Sequence, residues 1–184
     1  MNFPVPEPEI PDAVLEEHGW EERSGDTETM TKDVFGAVEV EALAHTKKYE
    51  VVGADEDDAR LLFANRTRTK PGFEDLPFGV GEERVKDIIK SFARDRFKDE
   101  FRERGVKGIE EGEEEETEAE TGETIELQRF EATRKVGGSD VNVSGWIGVW
   151  YRDGDVFTVG GVYPADSAEK EHEEEVLELI RGVR

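Results

Sequence analysis

Hydrophobic positions are densest from Val141 to Pro164, VNVSGWIGVWYRDGDVFTVGGVYP, and they repeat with the period of two that marks β-strands. The stretch predicts two strands folded back on Asp153-Gly154, because a two-residue type I′ turn needs φ > 0 at both positions and this pair tolerates it. That turn sets Arg152 opposite Asp155, Tyr151 opposite Val156, Trp150 opposite Phe157 and Trp146 opposite Gly161. One face then carries Trp146, Trp150, Phe157, Val159 and Tyr163, and the other Val141, Val143, Ile147, Val149, Tyr151, Val156 and Val162. A strand pair apolar on both faces belongs inside a sheet covered on both sides.

The rest of the chain supplies candidates for that sheet and its covers. Residues 1–10, punctuated by Pro4, Pro6 and Pro8, read as an extended segment, and Pro11 opens a short helix to His18 that Gly19 ends. Trp20 to Thr31 reads as a strand or loop, and Val34 to Val51 as one long strand or two broken near Gly36. Val38, Val40, Ala42 and Ala44 form the inner face of that stretch. An acidic turn at 55–58 precedes a strand over Ala59 to Thr69, and a Pro/Gly loop follows over Lys70 to Gly81.

Glu82 to Arg104 changes period: Val85, Ile88, Ile89, Phe92, Ala93, Phe97 and Phe101 recur every three to four residues and predict a long amphipathic helix. Its phenylalanines predict a seat on the Trp146/Trp150 face. Residues 110–126 hold ten Glu and little to bury, which predicts a solvated acidic loop at about 110–124. A strand over Thr124 to Val136 leads into the hairpin. Asp166 with Glu169 matches a capping box opening a last helix, whose stripe is His172, Val176, Leu179, Ile180 and Val183. The expected architecture is α+β, an antiparallel sheet of about six strands sandwiched by helices, spanning 11–184 as one domain.

Charge changes the picture more than any motif. Forty-seven acidic residues stand against 24 basic ones, a net of −23, and the bases are 10 Lys and 14 Arg. Acidic, Lys-poor surfaces suit molar salt, which screens the repulsion, so the composition points to a halophile ahead of an acidic mesophilic protein. Sixteen aromatic residues argue against a disordered acidic chain. With no Cys there is no disulfide and no thiolate chemistry. The first residues carry no basic, apolar leader, and no run approaches a membrane span. The chain therefore reads as cytoplasmic if Met1 is the native start.

The element order and the closing Tyr163-Pro164 followed by a helix are similar to the PsbP-like α+β fold, over residues 11–184. The chain also resembles haloarchaeal domains of unknown function. The first resemblance implies a central antiparallel sheet between helices, in a group made up mostly of adaptor or binding proteins, and fold alone transfers no function.

The motifs that could carry catalysis fail on their own terms. Gly79-Val80-Gly81 before a helix lacks the third glycine of a phosphate loop and is followed by two carboxylates. His172-Glu173-Glu174-Glu175-Val176 has Val where a zinc protease needs its second His, and His18, His45 and His172 fall on separate elements. Asn65-Arg66-Thr67 and Asn142-Val143-Ser144 match glycosylation sequons, and without secretion they read as chance matches, the second in an expected buried strand. No catalytic residue, cofactor or metal ligand is nominated.

What stands out is basic charge on an acidic background. Residues 84–107 hold nine basic and five acidic groups, and Arg66, Arg68 and Lys70 alternate onto one side of a strand. Arg66, Arg68, Lys70, Lys90 and Arg94 are therefore the candidate partner surface, against the plainer reading that the helix pairs its own bases with surrounding carboxylates. Nucleic acid is disfavoured, since the net field repels it and molar salt releases phosphate contacts. The expected function is a non-enzymatic binding or interaction module with a protein partner, its surface dressed by cations and salt. The alternative is a small-molecule hydrolase or other enzyme using cleft carboxylates.

Overall fold

A computed structural model describes residues 5–34, 38–53, 59–70, 72, 82–166 and 168–184. In chain order its elements are α1 (Asp12–His18), β1 (Trp20–Val34), β2 (Val38–Val51), β3 (Leu61–Lys70) and α2 (Glu82–Glu103). Then come β4 (Val106–Glu118), β5 (Thr124–Val136), β6 (Ser139–Arg152), β7 (Asp155–Pro164) and α3 (Glu169–Arg181). The strands form one seven-stranded sheet in the order β1-β2-β3-β7-β6-β5-β4, each neighbour antiparallel to the next. Two meanders, β1 to β3 and β4 to β7, thus meet where β3 pairs with β7, and α2 carries the chain from the sheet's middle to its far edge.

The central hairpin has the expected register, with Trp150 opposite Phe157 and Trp146 opposite Gly161. Its turn residues take φ of 51° at Asp153 and 81° at Gly154, the left-handed region that a type I′ turn requires. Its two faces seed two separate cores. Trp146, Trp150, Phe157, Val159 and Tyr163 pack with Leu15, Trp20 and Tyr49 and with Val176, Leu179 and Ile180 of α3. Ile147, Val149, Val156 and Val162 pack with Leu61, Phe63, Phe130 and with Phe97 and Phe101 of α2.

α2 therefore lies on the face opposite to the Trp146/Trp150 face expected for it, and α3 covers the tryptophans instead. Steric space decides it. A side chain at Gly160 would come within 2.8 Å of the Phe97 ring, and one at Gly161 within 2.6 Å of Val176 Cγ1. Adjacent glycines on β7 so let α2 rings settle on one face and α3 on the other. Phe63, Phe97 and Phe101 meet edge to face at centroid distances of 5.6 to 6.1 Å, an arrangement the Trp face does not offer. The side chains of Val85, Ile88, Ile89 and Phe92 lie outside the described residues, as do the turn at 55–58 and most of the loop over 70–81.

Two further expectations are corrected. The glutamate-rich run is a strand at the sheet edge, β4, with the loop reduced to 119–123, so the sheet has seven strands where about six were expected. Val106 is fully buried at its start, and register shifts between Lys107 and Glu110 and between Glu111 and Glu114 bend it along β5. Asp166 accepts the Ala168 N–H at 2.9 Å, but α3 is capped at Ala168 with no side-chain hydrogen bond, because Glu169 is drawn away to Ser144 and Arg129.

The N-terminal segment lies on the α3 face. Glu9 and Arg184 exchange backbone hydrogen bonds of 2.9 and 2.7 Å, closing the ends of the described chain on each other. Among the described residues no helix is long and apolar enough to cross a membrane.

Candidate functional site

The sequence-nominated basic residues divide between the two faces. Arg66, Arg68 and Lys70 continue the face of β3 that carries Leu62 and Ala64 of the α3-side core, and Lys90 and Arg94 sit on α2 across the sheet. Arg66 and Arg68 converge on Asp155, which is fully buried: Arg66 Nε donates at 2.7 Å and Arg68 Nε and Nη2 at 2.5 and 2.9 Å. The hydrogen bond from Arg68 to Asp155 is the largest influence on that guanidinium and raises its pKa. Arg66 and Arg152 both lie over the Phe157 ring, at 4.9 and 4.6 Å from its centroid, and Phe157 stacks on Trp150. Arg66 and Arg68 thus form an ion cluster with Asp155 that locks the hairpin end to β3, while Lys70 is exposed at the strand's end.

The other half opens onto solvent. Lys90, Arg94 and Lys98 follow one another at helical spacing and face the acidic edge of the sheet. Lys90 Nζ reaches Glu126 at 2.7 Å, Arg94 reaches Glu114 at 3.7 Å, and Lys98 pairs with Glu111. The Lys98 hydrogen bond holds the Glu111 carboxyl below the usual range. Between helix and strands runs a groove of about 720 Å³, walled on one side by these bases and on the other by Glu111, Glu114, Glu115, Glu116 and Glu126. Two of its bases are thus residues the sequence nominated. Its carboxylate wall was hidden, because a run of Glu reads as loop until β5 is known to pair with it.

Charge balance along this wall is one-sided. Among the described residues Glu110, Glu113, Glu115, Glu116 and Glu118 have no cationic partner, and all five are exposed on the sheet's outer strand. Among the described residues no strand pairs with the outer side of β4, so its backbone groups there are unpaired by the described sheet.

Beneath α3, Ser144 donates to Glu169 at 2.7 Å, Arg129 pairs with the same oxygen at 3.2 Å, and Tyr163 donates to Glu173 at 2.9 Å. Burial, then the Glu173 hydrogen bond, pushes the Tyr163 phenol far up. These groups tie α3 to β5, β6 and β7. His18 Nε2 meets Glu178 at 2.5 Å with Glu17 beside them, which ties α1 to α3. His45 meets Thr27 across strands at 2.8 Å, so the described contacts of His18 and His45 are structural.

The family model for a domain of unknown function (DUF6517) matches residues 7–184. The chain belongs to that family. The match starts in the N-terminal segment and runs through α3, so both faces of the sheet and the charged groove are parts of the DUF6517 domain. A comparison with curated proteins finds no match.

Proposed function

We propose that this DUF6517 chain is a binding module, not a catalyst, that docks a partner protein in the groove between α2 and β4 in a high-salt milieu. One observation carries the reading: an open groove of about 720 Å³ whose strand wall holds carboxylates with no cation of their own. The bases on its helix wall are spoken for, so the partner it suits is one that brings basic and hydrogen-bonding groups to Glu115 and Glu116. Salt adaptation is supported by the net charge of −23 and by the larger share of Arg than Lys among the bases. At molar salt screening falls to ~3 Å, so long-range attraction contributes little and direct ion pairs must hold the partner.

The test is affinity capture from an extract of the source organism in 2 M KCl, using the wild-type chain beside Glu115→Gln/Glu116→Gln. A partner retained by wild type and lost from the double variant supports the reading. The same proteins on both baits, or none on either, would overturn it.

A further inference from the structure

We propose that a second groove, between the N-terminal segment, α1 and β2 on the α3 face, binds a small alkylammonium ion: a protonated amine on a short unbranched hydrocarbon body. The groove measures about 510 Å³, within the range of small-molecule sites. It lies across the sheet from the α2–β4 groove, so it stands or falls independently of the partner reading.

Its floor and its walls ask for different halves of one ligand. The floor is apolar, made by Ile10, Leu15, Trp20 and Tyr49. Val52 stands at its edge and is 56% exposed, the exposed large apolar side chain among the described residues. The walls carry Glu9, Asp12, Glu16, Glu21 and Glu22 against one base, Lys47. Lys47 is already committed, to Glu7 at 3.2 Å and Glu22 at 3.4 Å, and Glu21 is held by Arg23 at 2.8 Å. Glu9, Asp12 and Glu16 have no cationic partner among the described residues. Tyr49 stays a neutral phenol, pushed far up by burial and then by the fields of Glu22, Glu9 and Glu7.

Carboxylates alone are common on this surface and would draw only hydrated cations. An inorganic ion, though, gains nothing from a floor of tryptophan, tyrosine and aliphatic side chains, which offers it few oxygen ligands. A neutral apolar molecule would strip water from the carboxylates without compensation. An amine on a hydrocarbon stem satisfies both halves: the stem covers the floor and Val52, and the ammonium donates hydrogen bonds to the unpaired carboxylates.

The experiment is an NMR titration of the isotopically labelled chain in 0.5 M KCl with 1,5-diaminopentane, run beside 1-pentanol and beside added KCl. The expected result is saturable shifts at the amides of Trp20, Tyr49 and Val52 with the diamine, absent with the alcohol and with KCl alone. Glu9→Gln/Asp12→Asn/Glu16→Gln should weaken binding about ten-fold or more. Val52→Ser, a change on an exposed side chain, should weaken it too and keeps the test valid if the triple variant does not fold. Shifts matched by 1-pentanol or KCl, shifts unchanged in both variants, or no shifts at these amides would overturn the proposal.

Discussion

Asp155 shows how much a single carboxylate organises here. It is fully buried between Arg66 and Arg68, and it follows directly on the turn that sets the register of the central hairpin. Asp155→Asn keeps the shape but leaves two guanidiniums without their counter-charge. Breaking a wholly buried pair costs ~3–5 kcal/mol, and Arg68 is 32% exposed, so the expected loss is about 2–3 kcal/mol in urea melts. Molar KCl should not restore it, because salt screens buried pairs poorly. Sequence alone placed Asp155 opposite Arg152 but gave no sign that β3 would bring two arginines to it, since that contact depends on which strand pairs with β7.

Tyr163 gives the fold a dependence on alkaline pH. Its phenol is raised above the usual 10.0 by burial and by donating to Glu173. The folded state therefore keeps a proton that the unfolded state loses, and this stabilisation, complete below pH ~10, declines as pH rises beyond it. Denaturant melts from pH 9 to 11.5 should show stability falling, with a shallower fall in Tyr163→Phe. Equal slopes for the two would mean that the tyrosine does not carry the effect.

Among the elements, those defined by a one-sided or strongly periodic pattern were legible and those defined by partners were not. The hairpin, the strand over Thr124–Val136 and α2 follow from alternation, turn chemistry and a helical stripe. The helix–face pairing did not follow, because both faces of the hairpin are apolar and only the packing at Gly160 and Gly161 distinguishes them. Nor did β4, whose burial is confined to Val106 at its start and whose remaining residues are exposed or half-buried. It is a strand because β5 pairs with it and α2 lends it Lys98 and Arg94. The same facts make β4 the element most sensitive to salt. Hydrogen exchange should show β4 amides losing protection between 2 M and 0.1 M KCl while β6 and β7 stay protected. Uniform protection, or loss beginning at β7, would contradict this.

At the scale of the whole molecule the acidic excess and the two cores oppose each other. The centre of each sheet face is covered by its own helix layer, but the chain carries a net of −23. Lowering KCl from molar to about 0.1 M lengthens screening from ~3 to ~10 Å and lets the carboxylates repel. Thermal midpoints should rise steadily with KCl over that range, and a flat profile would remove the support for a high-salt milieu. The candidate partner surface was half legible for the same reason that β4 was missed: Lys90 and Arg94 stand out on an acidic chain, whereas the Glu wall opposite them reads as loop.

The central claim is that the α2–β4 groove is the working surface, and site-specific photo-cross-linking tests it most directly. A photoreactive residue at Glu115, on the groove's strand wall, is compared in 2 M KCl extract with one at Glu174, exposed on α3. The account predicts a discrete adduct from position 115 and none of that size from position 174. Identical adducts from both positions, or none from position 115, would contradict it.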